Sequence, residues 1–130
     1  MAISFQTLNQ ILPILVNSKL PVLLRGRHGI GKSQVVFQLG QTIDLPVIDR
    51  RASQMTEGDL LGLPKQSSGD VTEWCPPAWF KRACTEGVIL FLDEVDRATL
   101  EVRQGIFELC DSRKLAGHVL HPDTLVFACV

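Results

Sequence analysis

Gly26-Arg27-His28-Gly29-Ile30-Gly31-Lys32-Ser33 fits the pattern G-x-x-x-x-G-K-[ST] at every fixed position. The residue types suit one task, which is gripping a polyphosphate. Glycines allow positive φ and let backbone N–H groups crowd around an anion. A helix starting at Lys32 would point its partial positive charge at the same place. Lys32 would reach the β- and γ-phosphates, and Ser33 would offer a hydroxyl to Mg²⁺. Gln34, in the first helical turn, joins these eight residues as a candidate nucleotide contact. The alternative is a Gly-rich turn of the same composition that binds nothing.

Asp93 and Glu94 form the second candidate pair. They follow Val88-Ile89-Leu90-Phe91-Leu92, an unbroken apolar run that reads as a strand covered on both faces. Two carboxylates at the end of a buried strand are costly unless something compensates them. In open α/β sheets that end is where ligands sit. Asp93 is then a direct or water-mediated partner of Mg²⁺. Glu94 is placed to polarise a water against a γ-phosphate. The bland alternative is a solvated acidic strand end.

The elements needed to hold these groups are legible in the pattern. Ser4 caps a first helix, with Phe5, Leu8, Leu12 and Leu15 at helical spacing and Pro13 bending it or ending it early. Val22-Leu23-Leu24 reads as a strand stopping at Gly26, and Lys32 to Thr42 as a helix burying Val35, Val36 and Leu39. Val47-Ile48 suggests a second strand. Lys65 to Asp70 reads as a turn or exposed loop, and Trp74 as the end of a short strand or hairpin. Ala78 to Glu86 reads as a helix closed by Gly87. Another helix spans Ala98 to Ser112, a turn surrounds Gly117, and a last strand runs from Leu125 to Val130. Strands alternating with helices predict an α/β fold with a parallel sheet flanked by helices.

Composition narrows the function. The chain has 130 residues, 45% hydrophobic and 21% charged, which is the composition of one globular domain. Thirteen basic residues face fourteen acidic ones, a net charge of −1, so no global basic excess holds nucleic acid. No apolar run approaches the roughly 18 residues of a membrane helix, and the N-terminus shows no signal-peptide pattern. A cytoplasmic location is expected. Cys75, Cys84, Cys110 and Cys129 contain no CxxC pair and read as reduced, mostly buried thiols. His118 and His121 lack a cysteine pair that would complete a zinc site. No N-K-x-D segment for guanine is present, which disfavours a GTPase.

The phosphate loop, the Val88–Glu94 strand and the Asp96-Arg97-Ala98 that follows resemble AAA+ ATPases. The nearest resemblance is to the MoxR-like and dynein-related branch, which includes the cobalt-chelatase ATPase subunit. Met55 to Gly62 with its Asp59-Leu60-Leu61-Gly62, Pro77-Ala78-Trp79-Phe80-Lys81-Arg82-Ala83 and Asp93-Glu94-Val95-Asp96-Arg97-Ala98 are similar to stretches of that branch. A Pro stands at position 77 where the branch usually has Gly. The resemblance implies a P-loop NTPase core with 1–130 as the N-terminal part of a nucleotide-binding domain. It implies that Leu125–Val130 lies between the phosphate-loop strand and the acidic strand, with a sensor residue expected just beyond. The family's arginine finger, fifth strand and helical lid have no counterpart in the sequence, so a truncated chain is expected, with the phosphate-loop strand as a sheet edge.

The resemblance further implies ATP and Mg²⁺ as cofactors, Glu94 and Lys32 as catalytic residues, and Ser33 and Asp93 at the metal. The full-length form would be a homo-oligomeric ring, a hexamer in the family, hydrolysing ATP to remodel a protein substrate or act with an adaptor. Two other readings stay open. One is a nucleotide-regulated binding module without turnover, and the other a DNA-directed motor or loader, which the near-neutral charge disfavours. Arg97 and Asp49-Arg50-Arg51 are candidates for a subunit interface or for solvated charge. Trp74 and Trp79 read as core or groove packing, and the adenine base is expected near Asn17 to Pro21.

Overall fold

The structure, a computed structural model, describes residues 4–27 and 31–130. Helix α1 (Phe5–Ser18) starts at the expected cap, where the Ser4 hydroxyl accepts the Thr7 N–H at 3.2 Å. Pro13 does not end it. Pro13 and Asn9 both lie on the exposed side, where water can take the carbonyl that proline leaves without a donor.

Strand β1 (Val22–Leu24), helix α2 (Lys32–Ile43) and strand β2 (Val47–Arg51) follow, then a single 3-10 turn at Ala52–Gln54. Helix α3 (Glu57–Leu61) leads into the hairpin β3 (Leu63–Gln66) and β4 (Thr72–Cys75). Helix α4 (Ala78–Thr85), strand β5 (Ile89–Asp93), a 3-10 turn at Val95–Arg97 and helix α5 (Leu100–Ser112) come next. A small hairpin, β6 (Lys114–Leu115) with β7 (His118–Val119), precedes β8 (Leu125–Cys129).

Four strands form one parallel sheet in the order β1-β8-β5-β2. The last strand is thus inserted between the phosphate-loop strand and the acidic strand, as the resemblance implied. Alternation across β5 explains its unbroken apolar run. Ile89 and Phe91 pack with Leu12, Val35, Val36 and Leu39 of α1 and α2 on one face. Leu90 and Leu92 pack with Leu60, Phe80, Val102 and Ile106 of α3, α4 and α5 on the other. Strand β1 lies at the sheet edge, with Leu23 62% exposed.

Some expectations need correction. The Lys65–Asp70 stretch is not all loop, because Lys65 and Gln66 pair with Glu73 and Thr72 across the β3–β4 hairpin. Trp74 lies within β4 and is exposed, since a two-stranded hairpin has no second layer to bury it. Trp79 does pack on the core, edge-to-face with Phe80. Helix α4 ends before Glu86 rather than at a left-handed Gly87. Gly87 is instead needed for close approach, since a Cβ there would lie 2.9 Å from Asp123 Cβ. Helix α5 starts two residues late because Ala98 closes the preceding turn and Thr99 is the cap, accepting from Val102 N–H. All four cysteines are free, but only Cys129 is buried; Cys75 is exposed.

Candidate phosphate-binding site

Every described candidate for the phosphate chain or the metal lies at the C-terminal end of the parallel strands, whereas Asn17 to Pro21, expected near adenine, precedes β1 at their N-terminal end. His28, Gly29 and Ile30 fall outside the described residues. Gly26 and Arg27 follow β1, with Arg27 exposed. Gly31, at φ +86°, is the N-cap of α2, a left-handed conformation that favours glycine. Lys32, Ser33 and Gln34 form the first turn. No side chain among the described residues caps α2, so its leading N–H groups remain available to an anion.

Lys32 crosses the end of the sheet. Its Nζ donates to the Gly26 carbonyl and to the Val130 carbonyl, both at 2.8 Å. The Val130 carbonyl also accepts the Gly26 N–H at 3.4 Å, which ties the loop to the end of β8. The acidic pair ends the next strand. Asp93 is the last residue of β5, and its Oδ1 accepts the Glu94 N–H at 2.8 Å. Burial pushes the thiol of Cys129, at the end of β8, up to about 12, with Asp93 adding to the rise and Lys32 opposing it. Lys32 and Asp93 thus flank the end of β8, the first through the Val130 carbonyl and the second at the end of the neighbouring strand.

Glu94 itself has left-handed backbone, φ 55° and ψ 41°, which costs a non-glycine residue of order 1–3 kcal/mol. Surrounding contacts hold it. Ser53, in the turn after β2, donates its hydroxyl to Glu94 Oε2 at 2.5 Å. Arg51 Nε stands 3.9 Å from Oε2, and Arg97 Nη1 stands 4.0 Å from Oε1. The pairing Arg51↔Asp93 between β2 and β5 brings these groups together. Asp49 projects from β2 on the side of Asp93, and burial followed by the Asp93 charge raises its carboxyl above the ordinary range.

The branch-like segment Met55–Gly62 supports this end of β2 from behind. Thr56 and Asp59 form a reciprocal cap on α3: Thr56 Oγ1 accepts the Asp59 N–H at 3.2 Å, and Asp59 Oδ2 accepts the Thr56 N–H at 2.8 Å. Trp79 Nε1 donates to the Asp59 carbonyl at 2.9 Å, and the Arg50 guanidinium lies over the Trp79 ring at 5.6 Å. The stretch Asn17 to Pro21, expected near adenine, joins α1 to the edge strand and carries the Lys19–Asp123 ion pair.

Sequence reasoning reached Lys32, Ser33, Asp93 and Glu94 but missed Ser53 and the pairing of Arg51 with Glu94. Their only signal is position, just past the end of a strand beside the acidic one. The residue types fit magnesium and a phosphate chain: Lys32 and the start of α2 stand on one side of the end of β8, and Asp93 and Glu94 end the strand on its other side.

Residues 21–124 match the AAA domain of the dynein-related subfamily, so the chain belongs to this family of AAA+ proteins. It is 33% identical over 96 residues to the denitrification regulatory protein NirQ of Pseudomonas aeruginosa, covering 73% of this chain and 36% of NirQ. It is 32% identical over 114 residues to midasin of Giardia intestinalis, covering 81% of this chain and 2% of midasin. A point variant of Thermotoga maritima RuvB has the same fold, with TM-score 0.65 at 16% identity over 98% of this chain and 39% of that one. The chain thus spans about a third of NirQ and a small fraction of midasin. No helix among the described residues is long and apolar enough to cross a membrane.

Proposed function

We propose that this chain binds ATP with Mg²⁺ on the Gly26–Gln34 loop. The complete protein, as a homo-oligomeric ring, would hydrolyse ATP to remodel a protein partner in the manner of MoxR-like chaperones. One observation carries the reading. Lys32 reaches from the start of α2 to the end of β8, and Asp93 and Glu94 end the strand next to it. In this reading Lys32 holds the outer phosphates, and Ser33 and Asp93 hold the metal or its waters. The bound metal would neutralise charge on the phosphate chain. Glu94 orients the attacking water and takes its proton. A cytoplasmic location goes with this reading.

Thermal unfolding tests it. A ligand that binds only the folded chain raises its melting temperature by mass action. Mg·ATP is expected to stabilise the wild type and to leave Lys32→Ala unshifted from its own nucleotide-free midpoint. Equal stabilisation of both proteins would remove the assignment.

A further inference from the structure

We draw no further inference here: the strongest candidate, the apolar cleft of about 350 Å³ between the edge strand β1 and helix α5, lined by Pro21, Leu23, Ile106, Phe107 and Cys110 among others, carries none because nothing in the structure shows what covers it.

Discussion

The Ser53 hydroxyl donates to Glu94 Oε2 at 2.5 Å, joining the end of β2 to the residue after β5. The Glu94 side chain is only 20% exposed, and its backbone is in the left-handed region. The contact therefore holds both a desolvated carboxylate and a strained residue. Hydrogen bonds to charged groups contribute about 1.5–3 kcal/mol. Ser53→Ala is expected to lower unfolding stability by about 1–3 kcal/mol in urea titrations. Glu94→Gln keeps an acceptor oxygen for Ser53 and weakens its pairs with the exposed Arg51 and Arg97, so it should cost less than Ser53→Ala. A Ser53→Ala midpoint equal to wild type would show that the bond holds nothing in place. In the complete protein, Glu94→Gln should retain Mg·ATP binding and lose at least about a hundredfold in turnover if Glu94 is the base.

The cap on α3 makes a pH prediction. The Thr56 N–H and hydroxyl bonds to Asp59 hold its carboxyl below the ordinary value of 3.8. A carboxyl with a lowered folded pKa contributes stability that is fully present above its unfolded pKa. That contribution fades as pH falls through the folded value. Asp59→Asn should therefore be less stable than wild type at neutral pH, and the difference should shrink on acidification below about pH 4. A gap between the two proteins that stayed constant from neutral to acid pH would mean that the cap owes nothing to the charge. Asp59 is solvent-exposed, so salt should also narrow the gap.

How much of this was legible beforehand depends on whether the signal is local. The phosphate loop and the acidic pair are contiguous runs, so their residues and flanking elements could be read directly. The Val88–Leu92 run was readable because a strand covered on both faces has no polar side to show. The place of β8 in the sheet came from the family resemblance, since periodicity says nothing about strand order. Ser53 and Glu94 are 41 residues apart, and only the Arg51↔Asp93 register brings them together. Trp74 was misplaced because an aromatic residue suggests a core, whereas its hairpin has no covering layer. The Thr56–Asp59 cap was the avoidable omission, because its T-x-x-D spacing is a helix-start signal.

Gly62 and Gly69 separate steric from conformational cost. Both have positive φ, +86° and +84°. A Cβ on Gly62 would lie 1.8 Å from the Cys75 carbonyl oxygen, a backbone atom at the base of the β3–β4 hairpin. A Cβ on Gly69 meets nothing within 4 Å. Gly69→Ala should cost only the left-handed penalty, about 1–2 kcal/mol. Gly62→Ala adds a clash that must move the hairpin, so its loss should exceed that of Gly69→Ala by at least about 1 kcal/mol in the same denaturant titration. Equal losses would mean that the hairpin shifts freely and does not brace Met55–Gly62.

Cysteine reactivity offers an independent check on the end of β8. Cys129 is fully buried, and its thiol is pushed up to about 12, chiefly by burial and then by Asp93. The thiolate is the nucleophile, so a thiol with so high a pKa is almost wholly protonated and unreactive at pH 8. Cys75, on the exposed hairpin, is open to reagents. Titration with a disulfide reagent at pH 8 should therefore modify Cys75 first and Cys129 only after unfolding, as mapped by mass spectrometry of peptides. Native-state labelling of Cys129 at the rate of Cys75 would mean that the end of β8 opens readily. Lys32 could not then be anchored through the Val130 carbonyl, and the geometry on which the phosphate-site reading rests would fail with it.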